Sequence, residues 1–320
     1  MTARTTSIAF AIVAIGLALA QDARPGLDFY HTWQYATVLA LAMAIPLGYG
    51  WGAARGRDGR GGRWMALALL GAAVVAGGGL ASGLLGPDTI TVHAAPGTVV
   101  PVPDIGAAAF FSPADEQTIA RGDGSVTLRS RTADPVVIAA HDTRFLAMSI
   151  AYLEASPAAY VTVRDGAGRH LTVTQPASTT FLSPVLLFPT TQQIAQKTYP
   201  LDTFAAPSLH RVAHALFFTA DQTTSFAQAG AHEPGLLLSV DDDTGRAAGL
   251  GLAISGHETA VGGMRVTATL GSYPRLRIAA APPPPVLIGG VAVFFLGLAL
   301  AALSTRRPTR SESVQTQPTA

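Results

Sequence analysis

Four apolar stretches punctuate the chain, from Thr6 to Ala20, Gln34 to Ala54, Trp64 to Leu85 and Pro284 to Leu303. A helix needs about 20 apolar residues to cross a bilayer core, with about 17 to 25 tolerated, so the last three qualify outright. The first is marginal: the opening Met1–Arg4 and the small residues Ala18-Leu19-Ala20 also suit a secretory signal with its cleavage site. Kept as a helix, it makes four crossings, three N-terminal and one C-terminal. The residues between the third and fourth stretches follow a different period.

In that long insert apolar and polar residues alternate, with many Thr and Val, as half-buried strands require. Ser125–Arg129, Tyr160–Arg164, His170–Thr174 and Arg265–Leu270 show it best. Three hairpins are expected, turning at Asp165–Gly168, at Asp241–Gly245 between Leu236–Val240 and Gly249–Ile254, and at Gly271–Pro274 between Arg265–Leu270 and Arg275–Ala280. Two helices are expected there. Ser208–Phe218 carries an apolar stripe through Leu209, Val212 and Leu216, and Pro113–Arg121 follows Ser112 as N-cap, with acids in its first turn. Ala281–Pro285 ends in four prolines and reads as a stiff non-helical connector. The fold class is therefore a membrane protein of α+β type. It comprises a three-helix region over residues 1–86, a β-rich domain over 87–282, a fourth helix over 283–305 and a polar, disordered tail over 306–320.

Charge orients this arrangement. The loop at 55–63 carries Arg55, Arg57, Arg60 and Arg63 against Asp58, and the tail carries Arg306, Arg307 and Arg310 against Glu312. The positive-inside rule puts both in the cytoplasm, with Arg4 and both termini, and puts Gln21–Trp33 and Gly86–Ala281 outside. The implied location is a bacterial cytoplasmic membrane with the β-rich domain on its extracytoplasmic side. That domain holds 12 of the 21 basic and 16 of the 20 acidic residues, a formal charge of −4, so the overall +1 is a cancellation. A basic loop without interleaved aromatics is an orientation signal, and a nucleic-acid partner is not expected.

Chemistry-bearing residues are sparse. With no cysteine the chain has neither disulfides nor thiol, iron–sulfur or CxxCH haem chemistry. No Ser/His/Asp arrangement, nucleophile elbow or phosphate loop stands out; Gly122-Asp123-Gly124 is a turn, and Gly77-Gly78-Gly79 lets helices approach closely. The chain reads as non-enzymatic. His210 and His214 would share one face of the expected helix, a metal-site spacing that here lacks a third ligand. Asp241, Asp242 and Asp243 lack the alternation and glycine of a calcium loop and suit a polar turn. His31, within Phe29-Tyr30-His31-Thr32-Trp33 at the mouth of the second helix, either meets interfacial water or faces a protein-lined cavity, where its imidazole could ligate haem iron.

This layout resembles the ResB-type (CcsB) cytochrome c biogenesis proteins. Phe29–Ala36 is similar to the family's aromatic approach to its second helix. Arg63–Gly86 with Asp88–Gly106 resembles the third helix and the strand leaving it. Gly235–Val240, Gly262–Val266 and Tyr273–Ala280, running into Val286–Leu300, resemble the last strands and fourth helix. The resemblance covers nearly the whole chain and rests on order and spacing. It implies a haem-handling component paired with a multi-helix ResC (CcsA) partner that delivers haem to apocytochrome c, with His31 as the possible haem contact and no other metal site. Without that resemblance, the same layout suits an accessory structural subunit of a respiratory or photosynthetic membrane complex.

Overall fold

The computed structural model describes residues 3–23, 31–52, 55, 59–130, 134–175, 180–181, 185–194, 196–226 and 233–305. Phe29, Tyr30, Arg57, Asp58 and the tail with Arg306, Arg307, Arg310 and Glu312 lie outside the described residues.

Three helices come first: α1 (Ala3–Ala23), α2 (Trp33–Gly52) and α3 (Gly59–Leu85). Strands β1 (Ile90–Val92), β2 (Val99–Val102) and β3 (Ala107–Phe111) follow, then helix α4 (Glu116–Arg121). After it run β4 (Val126–Ser130), β5 (Val136–Ile138), β6 (Thr143–Leu146), β7 (Ser149–Arg164), β8 (Val173–Thr174) and β9 (Thr180–Phe181). Next are β10 (Val185–Leu186), β11 (Thr190–Ile194), β12 (Lys197–Ala206), β13 (Arg211–Phe218) and helix α5 (Ala220–Phe226). Strands β14 (Gly235–Asp242), β15 (Ala247–Ile254), β16 (Glu258–Val261) and β17 (Met264–Ala280) lead to helix α6 (Pro284–Thr305). The chain is thus mixed α+β. It divides into one compact unit of Met1–Ile90, Phe145–Ile150 and Ile278–Ala320, and another of Thr91–Arg144 and Ala151–Arg277.

The first unit contains the long helices. Among the described residues three segments are long and apolar enough to cross a membrane, Trp33–Gly52, Gly62–Leu85 and Pro284–Ser304; the apolar part of α1, Thr5–Gln21, is shorter. Ala18 is wholly buried inside α1, which continues to Ala23. Thr32 caps α2, accepting from the Tyr35 amide through Oγ1 and from the Ala36 amide through its carbonyl. Trp33 and Trp51 mark the two ends of α2 and are 73% and 64% exposed. Eighteen residues of rise separate them by about 27 Å, close to the thickness of a hydrocarbon core.

Small residues set the helix spacing. A Cβ on Gly71 of α3 would fall 2.5 Å from the Gly290 oxygen and the Phe294 nitrogen of α6, and one on Gly297 would fall 2.4 Å from the Ala68 nitrogen. Gly78 similarly faces Val286, and Gly77 faces the Met43 sulfur of α2, so part of the expected glycine stretch does serve close packing. Ala11, Ile15, Met65, Leu69, Val75 and Phe294 fill the space left between α1, α3 and α6. The proline connector is shorter than expected: α6 already begins at Pro284, because a proline in the first turn forfeits no needed amide, and the Val286 amide donates to the Pro283 carbonyl.

The second unit is β-rich. One sheet runs β1-β17-β7-β10, with β16 on β17 and β6 on β7; a second runs β15-β14-β13-β12-β8-β9, with β11 on β12; a third is β2-β3-β4-β5. The first two share a core in which Val161 and Val163, Phe204, Ala213 and Ala215, Leu236 and Leu238, and Val266 and Ala268 interdigitate, a β-sandwich arrangement. The hairpin at Asp242 forms as expected, whereas at Asp165 the turn forms but its return segment bridges β7 only at Arg164 and His170 before β8 joins the second sheet on β12. Each aspartate carboxylate accepts amide hydrogens from two and four residues on, closing the turn.

Three expectations fail. Ser208–Phe218 is not a helix: a 3-10 turn over Pro207–Leu209 leads through left-handed His210 (φ 53°) into β13, hydrogen-bonded to β12 and β14. Its far end is buried on both faces, Phe217 in the sandwich core and Leu216 and Phe218 against Tyr199, which mimics a helical stripe in the sequence. Gly271–Pro274 is no turn either, since β17 runs through it without interruption. These residues make a flat seat for α4: a Cβ on Gly271 would fall 1.9 Å from the Ile119 carbonyl oxygen, and buried Tyr273 donates its hydroxyl to the Ser112 carbonyl. Lastly, α4 begins later than expected, with Asp115 rather than Ser112 as its N-cap; the Ser112 hydroxyl instead accepts from the Ser125 amide.

Candidate functional site

In the first unit His31 stands beside an open groove of about 380 Å3, together with Thr32, Trp33, Ala36 and Leu39 of the α2 end, Leu80, Gly83 and Leu84 of α3, and Asp88. The His31 side chain is only 18% exposed, and its Nε2 lies 3.8 Å from Oδ1 of the 95% exposed Asp88. The groove is lined by protein on the α2 and α3 sides and is open to its surroundings. The lining would offer one edge of a haem a single imidazole and a wall of leucine and tryptophan, with the Asp88 carboxylate beyond hydrogen-bond distance of the ring. The volume is at the low end for ligand pockets, so a macrocycle bound here would need a second protein to cover the rest.

The histidine pair of the sequence is split. His214 lies on β13 between Thr203 and Ser239, with Nδ1 3.2 Å from the Thr203 hydroxyl and Nε2 3.6 Å from Asp241. His210 pairs instead with Asp243 at 3.4 Å. Asp242 turns inward on its own hairpin, where the Thr244 hydroxyl and the Arg246 and Thr244 amides hold its carboxyl below the usual range. The three aspartates thus serve three different partners and do not converge. Among the described residues no group of three or more His, Cys, Asp or Glu side chains is placed to hold a metal ion.

Sequence reasoning missed a cluster in the second unit. Glu154 of β7 receives Arg277 on one oxygen at 2.6 Å and Arg275 on the other at 2.8 Å. Tyr152 on the same strand and His93, which follows β1, complete the group, and the Nε atoms of both arginines and Nε2 of His93 are buried without a hydrogen-bond partner. Burial pushes the Glu154 carboxyl up, but the hydrogen bonds and charges of Arg277 and Arg275 outweigh it and leave it below the usual range. Burial first, and then the Arg275 charge, hold His93 below the usual histidine value. The pairings Tyr152/Glu154 and Arg275/Arg277 at i and i+2 were a signal in the sequence, since residues two apart share a strand face.

Two guanidiniums on one carboxylate form a structural clamp with an excess positive charge. Glu154→Gln is expected to destabilise the protein by about 1–2 kcal/mol at neutral pH, less than for a fully buried pair because Arg275 is 39% exposed. Because its folded pKa is depressed, the stabilisation from Glu154 is fully present above the ordinary carboxylate range and is lost as pH falls through the folded value. Urea denaturation of wild type and variant as a function of pH checks this, and curves that stay parallel through acid pH would count against it.

No family model, no curated protein and no solved structure matches the chain.

Proposed function

We propose that the protein is a multi-pass membrane component of cytochrome c maturation, working without catalysis of its own beside a ResC (CcsA)-type partner and presenting haem toward apocytochrome c. In this reading α1 is the fourth span, both termini are cytoplasmic and the β-rich insert faces the extracytoplasmic side, as in the resemblance to ResB-type proteins. The observation that carries the reading is the placement of His31 at the end of a long apolar helix, largely buried at the edge of an apolar-walled groove. An ionisable ring so placed is a functional-site candidate by default. Haem, when bound, would supply an iron that accepts one nitrogen; the chain's part is to aim the His31 ring and to exclude water with Trp33, Leu39, Leu80 and Leu84.

The test is spectroscopic. Protein purified in detergent, alone or co-expressed with its ResC-type partner, is expected to carry a Soret band that His31→Ala reduces severalfold while the yield of folded protein stays unchanged. A colourless preparation, together with normal cytochrome c assembly in a deletion strain, would rule haem handling out and leave the accessory structural subunit as the reading. Topology is read separately: a protease site inserted at the Gly166 turn should be cut only from outside the cell.

A further inference from the structure

A second groove, of about 310 Å3, lies between α2 and α3 at the opposite end of α2 from His31. Its apolar length is built from Pro46, Leu47, Leu67 and Leu70, and Trp51 and Arg63 close one end. Helical periodicity accounts for the shape. Residues 46, 47, 50 and 51 fall on one face of α2, and residues 63, 67 and 70 fall on one face of α3. Gly50 and Ala66 form the floor, where the helices come close enough that a Cβ on Gly50 would lie 3.6 Å from the Ala66 backbone. Leu47 and Leu70 are 41% and 48% exposed, so the trough is open along its side. Trp51 meets Arg63 in the groove lining, and the Arg55 guanidinium sits 4.6 Å above the same Trp51 ring.

A hydrocarbon-lined trough that ends in two guanidiniums matches one kind of molecule. We infer that this groove binds an anionic phospholipid, with an acyl chain along Leu47, Leu67 and Leu70 and the phosphate between Arg63 and Arg55. Guanidinium forks fit phosphate oxygens in a bidentate way that an ammonium does not, and basic pockets between helices on the cytoplasmic side of a membrane are lipid headgroup sites. Trp51 has two roles in this assignment, since it lines the trough and its ring holds Arg55. The inference rests on reading α2 and α3 as membrane spans with the arginine-rich loop in the cytoplasm.

The full chain, purified in detergent, is melted in the presence of phosphatidylglycerol, phosphatidylcholine or soluble glycerol phosphate. Phosphatidylglycerol is expected to raise the melting temperature by several degrees, phosphatidylcholine clearly less and glycerol phosphate not at all. In the double variant Arg55→Gln, Arg63→Gln the two lipids should become equivalent. Leu47→Trp, which fills the trough and keeps both charges, should abolish the lipid response. Equal effects of the two lipids on wild type, a preference that survives the double variant, or stabilisation by glycerol phosphate would each overturn the inference. Carbonate extraction reads membrane residence separately, so a chain that resists extraction and shows no lipid preference sinks the lipid site alone, whereas a chain released by carbonate sinks the membrane reading beneath it.

Discussion

Gly290→Ala is expected to destabilise the helical unit by about 1–3 kcal/mol, whereas Gly289→Ala, one position away, is expected to leave it unchanged or slightly more stable. The two residues share a helix and a composition, and differ only in what faces them. A Cβ on Gly290 would lie 2.7 Å from the Val75 side chain and 2.9 Å from the Gly71 carbonyl oxygen, while one on Gly289 meets nothing within 4 Å. The valine methyl can rotate away, but the carbonyl is backbone, so α3 and α6 must separate. Separation is costly because apolar attraction between helices is weak in lipid, where close van der Waals contact carries the association. Gly71→Val should be worse still, since its Cβ would strike backbone at two points of α6. Thermal unfolding of the detergent-purified protein by circular dichroism measures the effect; indistinguishable melting of the Gly289 and Gly290 variants would mean that the helices do not pack through these glycines.

The same contrast shows where sequence was enough and where it was not. Apolar length alone locates α2, α3 and α6 to within a few residues, because lipid-length hydrophobicity needs no partner to be recognised. Turn chemistry finds the turns at Asp165 and Asp242, where one carboxylate closes each using atoms at most four residues away. Where non-local packing decides, the reading fails. Nothing adjacent to Gly271 shows that Ile119 will lie on it, so a glycine that admits a helix resembles a glycine that makes a turn. Residues 209–218 satisfy a helical stripe because β13 is buried on both faces at one end, which removes the period of two that identifies a strand. His31 was legible as a candidate from its position beside a span, yet its partner Asp88 was not. The Glu154 clamp joins residues more than a hundred positions apart: the i and i+2 spacings put Tyr152 with Glu154 and Arg275 with Arg277 on one strand face each, but nothing local shows that the two strands meet.

Asp202→Ala is expected to cost about 3 kcal/mol and Asp202→Asn somewhat less, the largest effects in the β-rich unit from a polar side chain. Asp202 is 6% exposed, and its carboxylate accepts the amides of Leu187 at 2.8 Å, Phe188 at 3.3 Å and Thr203 at 2.7 Å. Two of these donors belong to the loop after β10, where Phe188 is held in the left-handed region at φ 51° so that its ring packs edge-on to Phe217 in the sandwich core, 5.4 Å between centroids. Removing the carboxylate orphans buried amides and releases a strained residue that anchors the core. Asparagine keeps one acceptor but turns an amino group toward an amide donor, so it restores part of the loss. Burial nevertheless pushes the Asp202 carboxyl above the usual range, against the hydrogen bonds from Leu187, Thr203 and Phe188. A raised folded pKa means that its contribution is fully present below the ordinary carboxylate pKa and falls as pH rises through the folded value, opposite in sign to Glu154. The penalty of the alanine variant should therefore be larger near pH 4 than near pH 7. Chemical denaturation at the two pH values decides it: a penalty that grows toward neutrality would show that the amides, and not burial, set the charge state of this carboxylate.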